Sequence, residues 1–263
     1  MTSRISSEQP RILMNIFQKL YLEDTPIKQL LPLFQKLIRK LRLIDNKLEI
    51  ILEIASLGEE KFIFLTKQLH EEIADLIAHL SYNKLRFLLL YLAYRCPKCF
   101  THFISEFKKY LSKTLLEHDF NDAIILAIDI ARVNEELATI FIKTYLDTFK
   151  HLSKTEGMTH LGTVVWHISM LGYRNLAWCV FENLVDDFIE RNKSPRKIAW
   201  LLLTLSKIDD MFLRRAVNRL KRLLIEILCE SAPEQRKIFI SVISRSEELR
   251  NYLKSSIECY KWG

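Results

Sequence analysis

Six pairs of an aliphatic residue followed by a small one recur along the chain: Ile54-Ala55, Leu92-Ala93, Ile130-Ala131, Ile168-Ser169, Leu205-Ser206 and Ile243-Ser244. Their small members stand 38, 38, 38, 37 and 38 residues apart. The surroundings repeat with them. Four residues before the small one stand Ile51, Leu89, Ala127, Val165, Leu202 and Ile240, and five before it Ile50, Leu88, Leu126, Val164, Leu201 and Phe239. Apolar residues at these offsets mark one face of a helix, and the small residue lets a neighbouring helix come close.

A second helix is expected after a short polar connection. Seven residues past the small one it offers Phe62, Phe100, Ala138, Leu176 and Leu213, with Asn251 as the exception. Eleven past it come Thr66, Ile104, Ile142, Val180, Val217 and Ser255. The sixth unit loses the apolar signal in its second helix, as a terminal repeat with one face toward water should. One period before Ala55 lies Phe17, with Ile12, Leu13 and Ile16 at matching offsets, and Thr25-Pro26 could open the second helix of a seventh unit. A unit of this kind cannot bury its own apolar face, whereas a stack can. The expectation is an all-α fold: an α-solenoid of six to seven two-helix repeats, thirteen or fourteen helices in all. It forms a single domain over 1–263, with an N-terminal capping unit at 1–45, regular repeats at 46–231 and a C-terminal capping unit at 232–263.

Composition agrees with this. Gly and Pro number only 5 and 6, against the many tight turns of a β-sandwich and the glycines of a phosphate loop. A membrane-spanning helix needs about 20 apolar residues. The uncharged stretch Phe87–Tyr94 is far shorter and lies between Arg86 and Arg95, and the longest run free of acids, lysine and arginine, Gly157–Tyr173, carries two histidines. No apolar leader opens the chain, and five cysteines spread through helical text do not suggest a disulfide framework. A soluble protein of the reducing cytoplasm is expected.

Two segments, Val164–Leu184 and Ala199–Leu220, resemble the C-terminal helical repeats of STAND-type NTPases, through a W-x-[IL]-S pattern at Trp166–Ser169 and its relative at Leu203–Ser206. In that family such repeats act as a sensor that binds a partner and releases an ATPase. The chain has no G-x-x-x-x-G-K-[ST] motif, so the resemblance implies a binding surface of tetratricopeptide-like or HEAT-like kind rather than an NTPase. A weaker likeness is to HEAT-like nucleic-acid-binding solenoids, including alkylated-base glycosylases.

The net charge of +7 is confined to one repeat. Between Lys193 and Arg222 nine basic residues face only Asp209 and Asp210, and the remainder of the chain balances 30 bases against 30 acids. Arg215, Arg219 and Arg222 fall in line on one helix face, flanked by Arg214 and Lys221, and Arg196 and Lys197 belong to the same repeat. A solvated helix face is one reading. Arginine forks also suit carboxylate or phosphate, and a basic stripe is an electrostatic footprint for an acidic partner or nucleic acid. The partner-binding expectation therefore names Arg196, Lys197, Arg214, Arg215, Arg219, Lys221 and Arg222. The function expected is a non-catalytic scaffold for a protein with an acidic surface, the alternative a nucleic-acid-binding solenoid.

No motif points to a cofactor or a metal. Cys96-Pro-Lys-Cys99 with His102 offers three zinc-type ligands and lacks a fourth, because His118 lies sixteen residues further along what reads as the same helix. His70-Glu71-Glu72 fails as HExxH at Ala74. His167 reads as a packing residue, and Trp166, Trp178 and Trp200 as core aromatics.

Overall fold

The computed structural model describes residues 31, 32, 34, 35, 47–155 and 160–257. The expected N-terminal unit around Phe17, Thr25 and Pro26 lies outside them. The described residues contain no strand, and fifteen α-helices and one π-helical turn lie between Lys47 and Ser256. Among them no helix is long and apolar enough to cross a membrane. The fold is all-α. It divides into two compact units between Leu111 and Ser112.

The first unit contains α1 (Lys47–Ser56), α2 (Glu59–Gln68), α3 (His70–Ala78), α4 (Tyr82–Arg95) and α5 (Pro97–Glu106), and ends within α6 (Lys108–Leu116). α1 packs on α4 and α2 on α5, so helices three apart in order are neighbours. Polar links tie α2 and α3 to α5. Lys98 on α5 reaches Glu59 on α2 at 3.2 Å, Thr66 meets His102 Nε2 at 2.9 Å, and His70 meets Glu106 at 3.0 Å.

The second unit continues with α7 (Phe120–Val133), α8 (Glu135–Thr144), α9 (Leu146–Thr155), α10 (Leu161–Met170), α11 (Arg174–Arg191), α12 (Pro195–Leu205), α13 (Asp210–Ile225), α14 (Pro233–Ile243) and α15 (Glu247–Ser256), with the π-helical Glu226–Glu230 after α13. α10, α12 and α14 pack side by side, and α8 packs on α11. The charge of the first turn of one helix serves the next. Glu135 Oε1 accepts from the backbone N–H groups of Asn175 and Leu176 at 2.8 and 3.1 Å, and Arg174 pairs with Asp209 at 3.3 Å.

Local chemistry sets the helix starts. Pro97, Pro195 and Pro233 open α5, α12 and α14, where a missing N–H costs nothing. Asp119, Asn134, Asp209 and Ser246 accept from the first-turn amides of α7, α8, α13 and α15. Gly58 and Gly172 take φ of 94° in the connections before α2 and α11, a conformation closed to most side chains.

The apolar offsets fill the core. Phe62, Phe100, Ala138, Leu176 and Leu213 are buried, and so are Thr66, Ile104, Ile142, Val180 and Val217. Asn251 and Ser255 in α15 are exposed.

The helix count departs from expectation. Three stretches expected to be one helix each are broken in two, at Leu69, Phe107 and Tyr145, 38 residues apart. Their dihedrals are nearly the same: φ −109°, ψ 27°; φ −102°, ψ 21°; and φ −104°, ψ 23°. All three side chains are fully buried. No glycine or proline stands at the breaks, so the core position of a large side chain accompanies the departure into the sparsely allowed bridge region. The corresponding residue of α11 is Asn183, and α11 runs unbroken for 18 residues. Since α5 and α6 are two helices, His118 does not lie on the helix that carries Cys99.

Candidate binding surface

α13 owes its shape to a division of faces. Phe212, Leu213, Ala216, Val217, Leu220 and Leu224 are buried, while Arg214, Arg215, Asn218, Arg219, Lys221 and Arg222 are exposed. Asp209 starts the helix by accepting from Phe212 N–H at 2.7 Å. The arginines of α13 are exposed, and they differ in what they touch.

The Arg215 guanidinium lies 3.8 Å from the centroid of the Trp178 ring, stacked over it. Trp178 in turn leans on Phe181 and Phe212, with centroids 5.4 and 5.3 Å away. Arg219 Nη2 donates to Asp186 Oδ2 at 2.6 Å, a charge-assisted bond at an exposed site. Arg214 stands 6.0 Å from the ring of Tyr252, the outer limit for a cation–π contact. Lys221 and Arg222 form no ion pair with the described residues. They line an open cleft of about 700 Å³ together with Asn218, Arg219, Glu226 and Glu230.

Arg196 and Lys197 sit elsewhere, in the first turn of α12. Arg196 is exposed, and Lys197 Nζ donates to Asn192 Oδ1 at 2.6 Å. Lys197 lines a separate cleft of about 510 Å³ with His160, Thr163 and Trp200. Of the seven basic residues named from the sequence, Arg219, Lys221 and Arg222 line one cleft and Lys197 the other.

The tryptophans correct the sequence reading. Trp166 and Trp178 are half-buried and Trp200 is 39% exposed, with Arg245 5.0 Å above its ring. An indole whose face meets a guanidinium keeps that face at the surface. The sequence reading also missed Trp178, Asp186 and Tyr252 as partners of the stripe. A signal existed: Trp178 lies 37 residues before Arg215, and Tyr252 38 after Arg214, one period in each case.

The metal-like cluster takes another form. Cys96 and Cys99 are joined in a disulfide, which removes both sulfurs as thiolate ligands and corrects the expectation of free thiols. Cys229 is also disulfide-bonded, and Cys179 is a buried free thiol. His102 is held by Thr66. No group of three or more His, Cys, Asp or Glu side chains among the described residues has the arrangement of a metal site.

Comparison of the chain with protein-family models, curated proteins and solved structures returned no match.

Proposed function

We propose that the chain is an α-solenoid scaffold without catalytic activity, and that the outer face of α13 binds a protein with an acidic surface. The breaks at Leu69, Phe107 and Tyr145 recur at the same 38-residue interval as the aliphatic–small pairs, which supports a stack of similar units. The W-x-[IL]-S resemblance to sensor repeats is compatible with the same reading.

The mixed chemistry of the α13 face carries the choice of partner. Arg215 is stacked on Trp178, Arg219 is tied to Asp186, and Glu226 and Glu230 share the cleft of Lys221 and Arg222. Three carboxylates among the bases interrupt the continuous positive track that a nucleic-acid backbone would follow, whereas a protein can place single carboxylates against Arg214, Lys221 and Arg222. Arginine, tryptophan and tyrosine set among polar residues are instead the side chains in which protein interfaces concentrate their binding energy. Met211, 63% exposed at the start of the helix, adds an apolar contact.

Arg214, Lys221 and Arg222 are the residues to change, because Arg215 and Arg219 also serve the fold. Affinity capture with the wild type and an Arg214→Glu/Lys221→Glu/Arg222→Glu variant, each with and without nuclease, tests the reading. Acidic proteins retained by the wild type after nuclease, and lost by the variant, are the expected result. Captured material that disappears on nuclease treatment would overturn it in favour of nucleic acid.

A further inference from the structure

The disulfide between Cys96 and Cys99 spans three residues, with Cα atoms 5.1 Å apart. Both belong to the start of one helix: Cys96 is the N-cap of α5 and Cys99 lies in its first turn. Closing so small a loop removes little freedom from the unfolded chain, and the helix already fixes the two residues relative to each other. As a staple the bond does almost nothing. Capping does not account for the residue type either, since Asn134 and Asp209 fill comparable N-cap positions with oxygen, a better acceptor than sulfur.

The two sulfurs are not equivalent. Cys96 is half-exposed and flanked by the exposed Arg95, Pro97 and Lys98, whereas Cys99 is fully buried. Cys96 Sγ accepts from the Cys99 backbone N–H at 3.1 Å, and the positive end of α5 lies beneath it. Those two features favour a thiolate at Cys96 over a thiol.

We propose that Cys96 and Cys99 form a thiol–disulfide exchange site, with Cys96 as the sulfur that meets external thiols and Cys99 as the resolving sulfur. The co-reactant is a dithiol. One of its thiolates attacks Cys96 Sγ, forming a mixed disulfide; the Cys96–Cys99 bond breaks and Cys99 leaves as a thiolate that takes up a proton. The second thiolate of the dithiol then attacks its partner sulfur and closes its own disulfide. Cys96 is released as a thiolate. Two electrons pass from the dithiol to the protein, the two dithiol protons go to solvent, Cys99 takes one back and Cys96 stays a thiolate; an external disulfide reverses the sequence. In a reducing compartment, disulfides of this kind are redox-active rather than structural.

The test uses the intact, folded protein reduced with dithiothreitol, freed of it and equilibrated with mixtures of reduced and oxidised glutathione, then quenched in acid and alkylated. The peptides carrying Cys96 and Cys99 are quantified by mass, which separates them from Cys229. Exchange predicts full, reversible conversion with an unchanged helical circular dichroism signal. In parallel, Cys99→Ala leaves Cys96 alone and Cys96→Ser leaves Cys99 alone, the serine keeping a cap on α5. With an aromatic disulfide probe, Cys96 should react at least about tenfold faster than Cys99. Three results would overturn the proposal: a bond that dithiothreitol reduces only after unfolding, a reduced pair that oxidised glutathione does not close again, or a Cys99 that reacts as fast as Cys96. Should Cys99→Ala fail to fold, the wild-type equilibrium decides alone.

Discussion

Thr66 occupies the offset at which Ile104, Ile142, Val180 and Val217 are apolar, and it is no less buried than they are. Its hydroxyl satisfies itself by donating to Phe62 O at 2.7 Å, which leaves its oxygen to accept from His102 Nε2–H at 2.9 Å. Burial lowers the His102 pKa from its ordinary value, against the opposing pull of Glu106. The sign follows directly: the unfolded chain takes up a proton near pH 6.5 that the folded chain refuses, so this contribution to stability is present above about 6.5 and is lost as pH falls. An NMR titration of the His102 ring should give a midpoint below that of an unstructured histidine; a midpoint at or above it would contradict the half-buried, neutral assignment. At this scale the sequence shows through its period that the recurring offsets are interior, Thr66 included, but not that Trp166, Trp178 and Trp200 lie outside the core. It does not show the ring faces of Trp178 and Trp200, whose guanidinium partners come from other helices, or the bond between Cys96 and Cys99.

Elements in this protein lean on one another at their ends. α11 begins at Arg174 with no side-chain cap of its own, since Tyr173 provides none. Glu135, in the first turn of α8, supplies the acceptor instead and takes two of the four unpaired amides. Removing it should behave as the loss of an N-cap. Glu135→Ala is expected to cost about 1 kcal/mol in chemical denaturation, with Glu135→Gln losing less because its amide oxygen can still accept. Equal losses, or none, would show that the carboxylate does not cap α11. The positions of most helix starts are legible in sequence through Asp, Asn, Ser and Pro. The breaks at Leu69, Phe107 and Tyr145 are not, because nothing in the intrinsic preference of leucine, phenylalanine or tyrosine ends a helix. Only the 38-residue recurrence of a large residue there was available, and it reads equally well as core packing.

Over the whole chain, an excess of +7 resides in residues 193–222 of an otherwise neutral sequence. That much is countable without a structure. What the count cannot contain is the company the charges keep: Asp186 on Arg219, Trp178 under Arg215, and glutamates in the cleft of Lys221 and Arg222. A run of bases reads as a phosphate track until the acids brought in by folding are placed beside it. The decisive measurement is a titration of the protein into fluorescent single- and double-stranded nucleic acid at about 50 mM and about 150 mM salt, with the Arg214→Glu/Lys221→Glu/Arg222→Glu variant alongside. A protein-binding face predicts no measurable affinity at the higher salt and little difference between wild type and variant. Binding that persists there, falls steeply between the two salts and vanishes in the variant would contradict it and make the α13 face a phosphate-contacting surface.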